Sequence, residues 1–225
     1  MLTQALLGDE ASVLAVQGEW LRILLPDQPS SLHDGGYPGW VPSCQVVPWP
    51  PAPSGREIVI SALTTAGHRP LGLGTALRAG PNDLRTLTDE PVEVAAAQLT
   101  APSGNRATVV HAAEAFLLLP YLWGGASGWG VDCSGLAWLC HRRCGVRIPR
   151  DAHDQLAAGT EVDLARVEPG DLVFFARPGE RIHHVGIASS GGEMLHAPET
   201  DRGVERRPIA RTGADPVAAR RYLDS

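Results

Sequence analysis

"GVDCSGLAWLCHRRCG", residues 130–145, decides how the rest of the chain is read. An acid, Asp132, precedes an apolar run, and Gly145 follows a turn carrying His141, Arg142 and Arg143. This pattern predicts a helix with Asp132 as N-cap and Gly145 as the residue just past its end. The basic side chains fall where the helix dipole favours cations. Cys133 then stands at the helix N-terminus, where unsatisfied N–H groups carry about half a positive charge and favour a thiolate. Gly128, Gly130 and Gly135 leave room for a substrate to approach. Two readings stay open at this point: a nucleophile, or a small buried residue that starts a helix.

The 225 residues suffice for one large domain or two to three small ones. A net charge of −6, with no Lys/Arg run, argues against nucleic acid or an anionic membrane as partner. The longest apolar stretch, "AFLLLPYLW", is far short of the roughly 20 residues that span a bilayer, and it contains Pro120. No signal peptide is visible at "MLTQALLGDE", so a cytoplasmic location is expected, or a secreted or periplasmic one if the N-terminus was trimmed. The four cysteines form no regular disulfide framework. No feature specifies an oligomer, and a monomer is the expectation.

Two breaks, "VPWPPAPSG" (47–55) and "LTAPSGN" (99–105), divide the chain into 1–48, 49–105 and 106–225. The first two pieces are strand-rich and too short to bury much surface alone, so small barrels leaning on a larger domain are expected. The third begins with helical runs, "ATVVHAAEAFLLL" up to Pro120, "CSGLAWLCHRRCG", and "PRDAHDQLAAG" with Asp151 as N-cap and Gly159 as stop. Strands follow: "DLVFFA", "HHVGIAS", "EMLHAP", "GVERRPI". Helices first and strands later predict an α+β domain.

A nucleophilic Cys needs a base, and the base needs an orienting group. Three of the eight histidines cluster in "RIHHVGIASSGGEMLHAP", which reads as a β-hairpin with "SSGG" at its tip. Centring it on Ser190 sets His184 directly opposite His196, both on one face. His184 is then the base and His196 its orienter. His183 points to the other face by strand alternation and is left out. Zinc is the rival for these residues, but Cys133, Cys140 and Cys144 are strung too far along one helix for one ion. No metal and no cofactor are expected, and Cys140 and Cys144 read as core contacts.

These stretches, together with "PYLWGGASGWGVDCSG", "IPRDAHDQ" and "EPGDLVFF", resemble the NlpC-type cysteine peptidases of bacterial cell walls over residues 106–225. The first 100 residues resemble the paired bacterial SH3-like barrels that precede this domain in one branch, through "DGGYPGWVPSCQV" above all. The resemblance implies two SH3-like barrels followed by a papain-like α+β domain. It implies Cys133 as nucleophile, His184 as general base and His196 as third member. It places Tyr121 near the oxyanion, and Asp132, Ser134, Arg150 and Asp151 around the substrate pocket. Glu10 and Tyr37 match an acid and a tyrosine that close the pocket over a free substrate amine. The family pattern often has Ser where this chain has Ala152, which removes one potential hydrogen bond to substrate. The implied substrate is a peptidoglycan peptide of the form L-Ala-γ-D-Glu-diaminopimelate, cut after the γ-D-glutamyl unit.

The physics of amide hydrolysis fits these assignments. The N–H of Cys133 is a natural oxyanion donor, and His184 can return its proton to the leaving amine. Trp123 is a candidate cleft wall, while Trp20, Trp40, Trp49, Trp129 and Trp138 read as core or wall. Two other functions use the same residues: a non-catalytic module that binds wall peptide, and an acyltransferase with the same thiol chemistry.

Overall fold

The computed structural model describes residues 1–48, 57–60, 64–66, 69–72, 74–79, 84–86, 91–92, 99–100, 104–199, 202–211 and 215–224. Residues 49–55 of the Pro-rich break, with Trp49, and residues 101–103 of the second break lie outside these.

Strands β1 (Ser12–Gln17), β2 (Trp20–Leu25) and β3 (Tyr37–Pro42) form an antiparallel meander in that order. Alternation along β2 and β3 gathers Ile23, Leu25 and Tyr37 on one buried face, with Ala11, Leu21 and Val41 packed against them. Trp20 and Trp40 stay about half exposed (50% and 49%), so neither is a core residue. Strands β4 (Glu57–Ile60), β5 (Thr64–Ala66), β6 (Arg69–Leu71), β7 (Ala76–Ala79), β8 (Leu84–Arg85), β9 (Pro91–Val92) and β10 (Leu99–Thr100) follow. Five of them make a sheet of order β10-β4-β7-β8-β9, and β5 pairs with β6. Leu71, Leu77 and Val92 are the small core there.

Helix α1 (Arg106–Glu114) opens the remaining part with a capping box between Asn105 and Thr108. It ends six residues before Pro120, earlier than its apolar run suggests. Tight turns take over, Leu118 adopts φ 68°, and the backbone of Leu118 and Leu119 bonds to Val204 instead. The short pair β11 (Ala126–Ser127) and β12 (Gly130–Val131) leads into α2 (Cys133–Arg143). As the sequence predicts, the Asp132 carboxylate accepts the Gly135 N–H at 2.6 Å. At the other end Gly145, at φ 75°, closes a Schellman motif through Gly145 N–H to Arg142 O and Val146 N–H to His141 O.

After α3 (Ala152–Ala158) come β13 (Thr160–Val162), β14 (Leu172–Ala176), β15 (His184–Ala188), β16 (Glu193–His196), β17 (Glu205–Pro208) and β18 (Asp215–Arg221). They form one antiparallel sheet of order β13-β18-β14-β15-β16-β17. The helices lie on it, and their shared core includes Val109, Phe116, Leu136, Trp138, Leu172, Phe174 and Ile187. The result is a mixed α and β fold with antiparallel sheets and few helices. Cys140 and Cys144 are buried in this core, whereas Trp129 is 54% exposed. No helix among the described residues is long and apolar enough to cross a membrane.

The N-terminal segment is tied down onto this core. The Trp138 indole N–H donates to Asp27 O, the Arg150 N–H to Pro29 O, and the Ser31 N–H to the Asp154 carboxylate. Arg142 reaches Asp9 at 2.6 Å. These contacts bring the start of β3 against the start of α3, which matters for the site.

Candidate active site

Cys133 is the first residue of α2, partly exposed at the floor of a cleft of about 350 Å³. Tyr121, Trp123, His183, His184 and His196 line the cleft with it. Arg177, Glu199 and Arg207 add charge to its rim. The backbone N–H groups of Val185 and Ser134 are close enough to favour its thiolate, so the thiol lies near the first residues of β15. A larger open hollow of about 760 Å³ adjoins it, built mainly from residues 176–182; the two share Arg177, and among the described residues no Cys or Ser lines the hollow.

The imidazole pair is close: His184 Nε2 and His196 Nδ1 lie 2.8 Å apart, with the rings edge to face. The register that achieves this differs from the symmetric hairpin about Ser190. Ile187 pairs with Leu195 and Ala188 with Met194, two residues further along β16 than that centring predicts. The tip is a 3-10 turn whose Gly191 and Gly192 both have positive φ. A shift of two preserves parity, so both histidines remain on one face. By continuation of that register Gly186, not His184, stands across from His196. A Cβ at Gly186 would lie 3.4 Å from the His196 Cβ and 2.5 Å from the Met194 sulfur. The missing side chain is what lets the His184 ring lean diagonally onto His196.

His183 also borders the cleft, contrary to the alternation argument. It precedes β15, whose first residue is His184, so strand alternation does not govern it. Trp123, 66% exposed, forms a wall.

Burial shifts the titrating groups. The Cys133 thiol is pushed up to about 12, foremost by desolvation and then by the Asp132 charge. The Val185 and Ser134 N–H groups and Arg150 pull it back only in part. Loss of solvent and an adjacent carboxylate thus oppose the helix-end field that favours a thiolate. The His184 imidazole is pushed down to about 3 by burial, then by His196 and His183. Burial thus favours the neutral form of both groups, for which the proton would pass as the sulfur attacks.

Asp132, Ser134 and Arg150 form a network beneath the cleft. Arg150 is fully buried. It donates to both Asp132 oxygens, at 3.0 and 2.8 Å, and also to Ser134 Oγ, Gly125 O and Thr3 Oγ1. The Asp132 carboxylate further accepts from Gly124 N–H and the Ser134 hydroxyl. Gly135 serves this packing, since a Cβ there would sit 2.0 Å from Gly125 O. None of these three polar side chains lines the cleft.

Asp151 is at the N-cap position of α3, yet its side chain makes no capping bond. It accepts instead from the Tyr37 hydroxyl at 3.1 Å, across from the first sheet. Burial raises the Asp151 carboxyl; Arg150 and the Tyr37 bond oppose that. Burial, then Asp151, raise the Tyr37 phenol. The Tyr121 phenol is likewise raised, by burial and then by Cys133 and Asp132. Glu10 is exposed and makes no hydrogen bond or ion pair to Tyr37 or Asp151 among the described residues.

A thiol at a helix start that shares its cleft with a histidine pair on an antiparallel sheet is a set suited to a cysteine hydrolase. The comparisons specify it further. The NlpC/P60 family model matches residues 119–220. A γ-D-glutamyl-L-lysine dipeptidyl-peptidase of Bacillus subtilis is 35% identical over 93% of this chain and 76% of its own. The Bacillus cereus protein of the same name is 30% identical over 98% of this chain and 75% of its own. A crystal structure of an NlpC/P60 family protein from Bacillus cereus superimposes with a TM-score of 0.87 at 27% identity, covering 98% of this chain and 82% of that one. The chain belongs to the NlpC/P60 family, and it is a cysteine peptidase.

Proposed function

We propose that the protein hydrolyses the bond between γ-D-glutamate and a diamino acid in small peptidoglycan-derived peptides that carry a free N-terminal L-Ala. Cys133 is the nucleophile, His184 the base and then the acid to the leaving amine, and His196 the group that holds His184. The observation that carries this reading is the 2.8 Å contact of His184 with His196 in the cleft that contains Cys133. Attack forms the C–S bond as the thiol proton passes to His184, and the developing oxyanion meets the N–H groups at the start of α2. The acyl-enzyme is then hydrolysed by water with His184 again as base.

The free-amine requirement is supported by Tyr37 and Asp151. A half-buried carboxylate with one phenolic partner is a suitable site for an ammonium, whose charge offsets the carboxylate's desolvation. The names of the two Bacillus relatives agree with this substrate class. We read residues 1–48 as an SH3-like barrel, 49–105 as a linker and second SH3-like barrel, and 106–225 as a papain-like domain, the first barrel supplying Tyr37 to Asp151.

The test is incubation of the full chain with L-Ala-γ-D-Glu-diaminopimelate and its N-acetylated form, with products resolved by mass spectrometry. Release of L-Ala-γ-D-Glu from the free peptide alone is expected. Cys133→Ala should lower that rate by at least about 10³-fold. Equal turnover of both peptides would remove the amine requirement, and an active Cys133→Ala would remove the mechanism.

A further inference from the structure

Behind the histidine pair stands a carboxylate that the mechanism above does not use. Glu205 of β17 is directly opposed to His196 of β16 in the sheet. Its Oε1 lies 3.4 Å from His196 Nε2. That nitrogen is buried and makes no well-formed hydrogen bond among the described residues, so the carboxylate is the acceptor within reach. The His196 side chain is 4% exposed and that of Glu205 23%.

The tautomers follow from one geometric fact. His184 Nε2 faces His196 Nδ1, so one of the two carries the proton between them. We propose that Glu205 is a positioning residue of the peptidase: by accepting the Nε2 proton of His196 it leaves His196 Nδ1 bare. His184 must then donate through Nε2, and His184 Nδ1 holds the free lone pair that takes the Cys133 proton. Without Glu205 the reverse arrangement becomes accessible: His196 donates from Nδ1, His184 protonates at Nδ1, and its Nε2 lone pair is spent on His196. The base then has its proton at the nitrogen where it needs a lone pair. No proton leaves His196 for Glu205 in this scheme; the carboxylate acts through hydrogen bonding and charge.

Other charged groups face this array. Arg207 reaches the same Glu205 oxygen at 3.8 Å and lowers the His196 proton affinity, while Glu205 raises it. His183 and His196 both disfavour a charged His184. Glu205 is thus the acid that supports the imidazolium formed on attack, with Arg207 opposing it.

The inference rests on the peptidase reading, and two measurements keep their failures separate. Long-range ¹H–¹⁵N correlation on the full chain with ¹⁵N-labelled histidine reports the tautomers without substrate. A pyrrole-type His196 Nε2 and a pyridine-type His184 Nδ1 are expected. The opposite pattern overturns the proposal whatever the activity. In kinetics on the free-amine peptide, Glu205→Ala should lower kcat at least about tenfold, part of the roughly 10²–10⁴ that a positioned base supplies. KM should hold, and the acid limb of the kcat profile should move to lower pH as the base loses a negative neighbour. Glu205→Gln, which keeps the acceptor and the size, should recover most of kcat at the lowered limb. Unchanged kcat and pH profile in Glu205→Ala, or no recovery in a folded Glu205→Gln, overturns it.

Discussion

Arg150→Met tests the buried platform on which the candidate nucleophile rests. The arginine is fully buried, and its guanidinium makes five hydrogen bonds, two of them to Asp132. Methionine keeps much of the bulk and removes the charge. Deleting one partner of a buried pair costs about 3–5 kcal/mol, because the other charge stays buried without compensation. Asp132 retains Gly124 N–H, Ser134 O–H and Gly135 N–H, which places the cost at the lower end, about 3 kcal/mol. For a chain of this length, roughly 2–4 °C of Tm follows each kcal/mol, so a loss of about 6–12 °C is expected. Circular dichroism melts at neutral pH give the Tm, and urea titration gives the free energy. Asp132→Asn completes a cycle: the double variant should lose clearly less than the sum of the single losses, since each removes the reason for the other's penalty. A Tm within about 2 °C of the parent in Arg150→Met, or additive single losses, would refute the reasoning.

Two further outcomes concern the cleft. Burial raises the Cys133 thiol, so the thiolate fraction is small near neutrality and grows with pH. Iodoacetamide should alkylate Cys133 roughly tenfold faster per pH unit from about pH 6 to about pH 9. A rate plateau reached below neutral pH would mean a resting thiolate and would contradict the burial argument. Gly186→Ala forces a Cβ to 2.5 Å from the buried Met194 sulfur, an overpacking cost of about 1–3 kcal/mol, and pushes against His196. Melting temperature and kcat should both fall, with KM less affected. Parent-like values of both would show that the diagonal histidine contact does not depend on that glycine.

Local chemistry made much of this site legible. Asp132 as a cap, Gly145 as a stop and Cys133 at the first turn of a helix follow from a few adjacent residues, and α2 is built that way. Histidine parity on the hairpin was also readable, because the register differs from the symmetric one by two residues and leaves both side chains on one face. The register itself was not: it depends on Gly191 and Gly192 turning with positive φ, which places two more residues in the connection than a tight symmetric tip. Asp151 was readable as a cap position, but its side chain is taken by Tyr37, 114 residues away along the chain.

The sequence by itself determined the α+β class, the helix that carries the cysteine and the cluster from which its histidine comes, since each is written in neighbours or in a short period. Tertiary structure alone decided the surroundings of these groups. Desolvation of Cys133 is a property of everything packed around it, and it opposes a helix end that local pattern can see. The burial of Arg150 under the N-terminal segment, and the placement of Glu205 behind His196, are produced by chain segments that meet only in the folded chain.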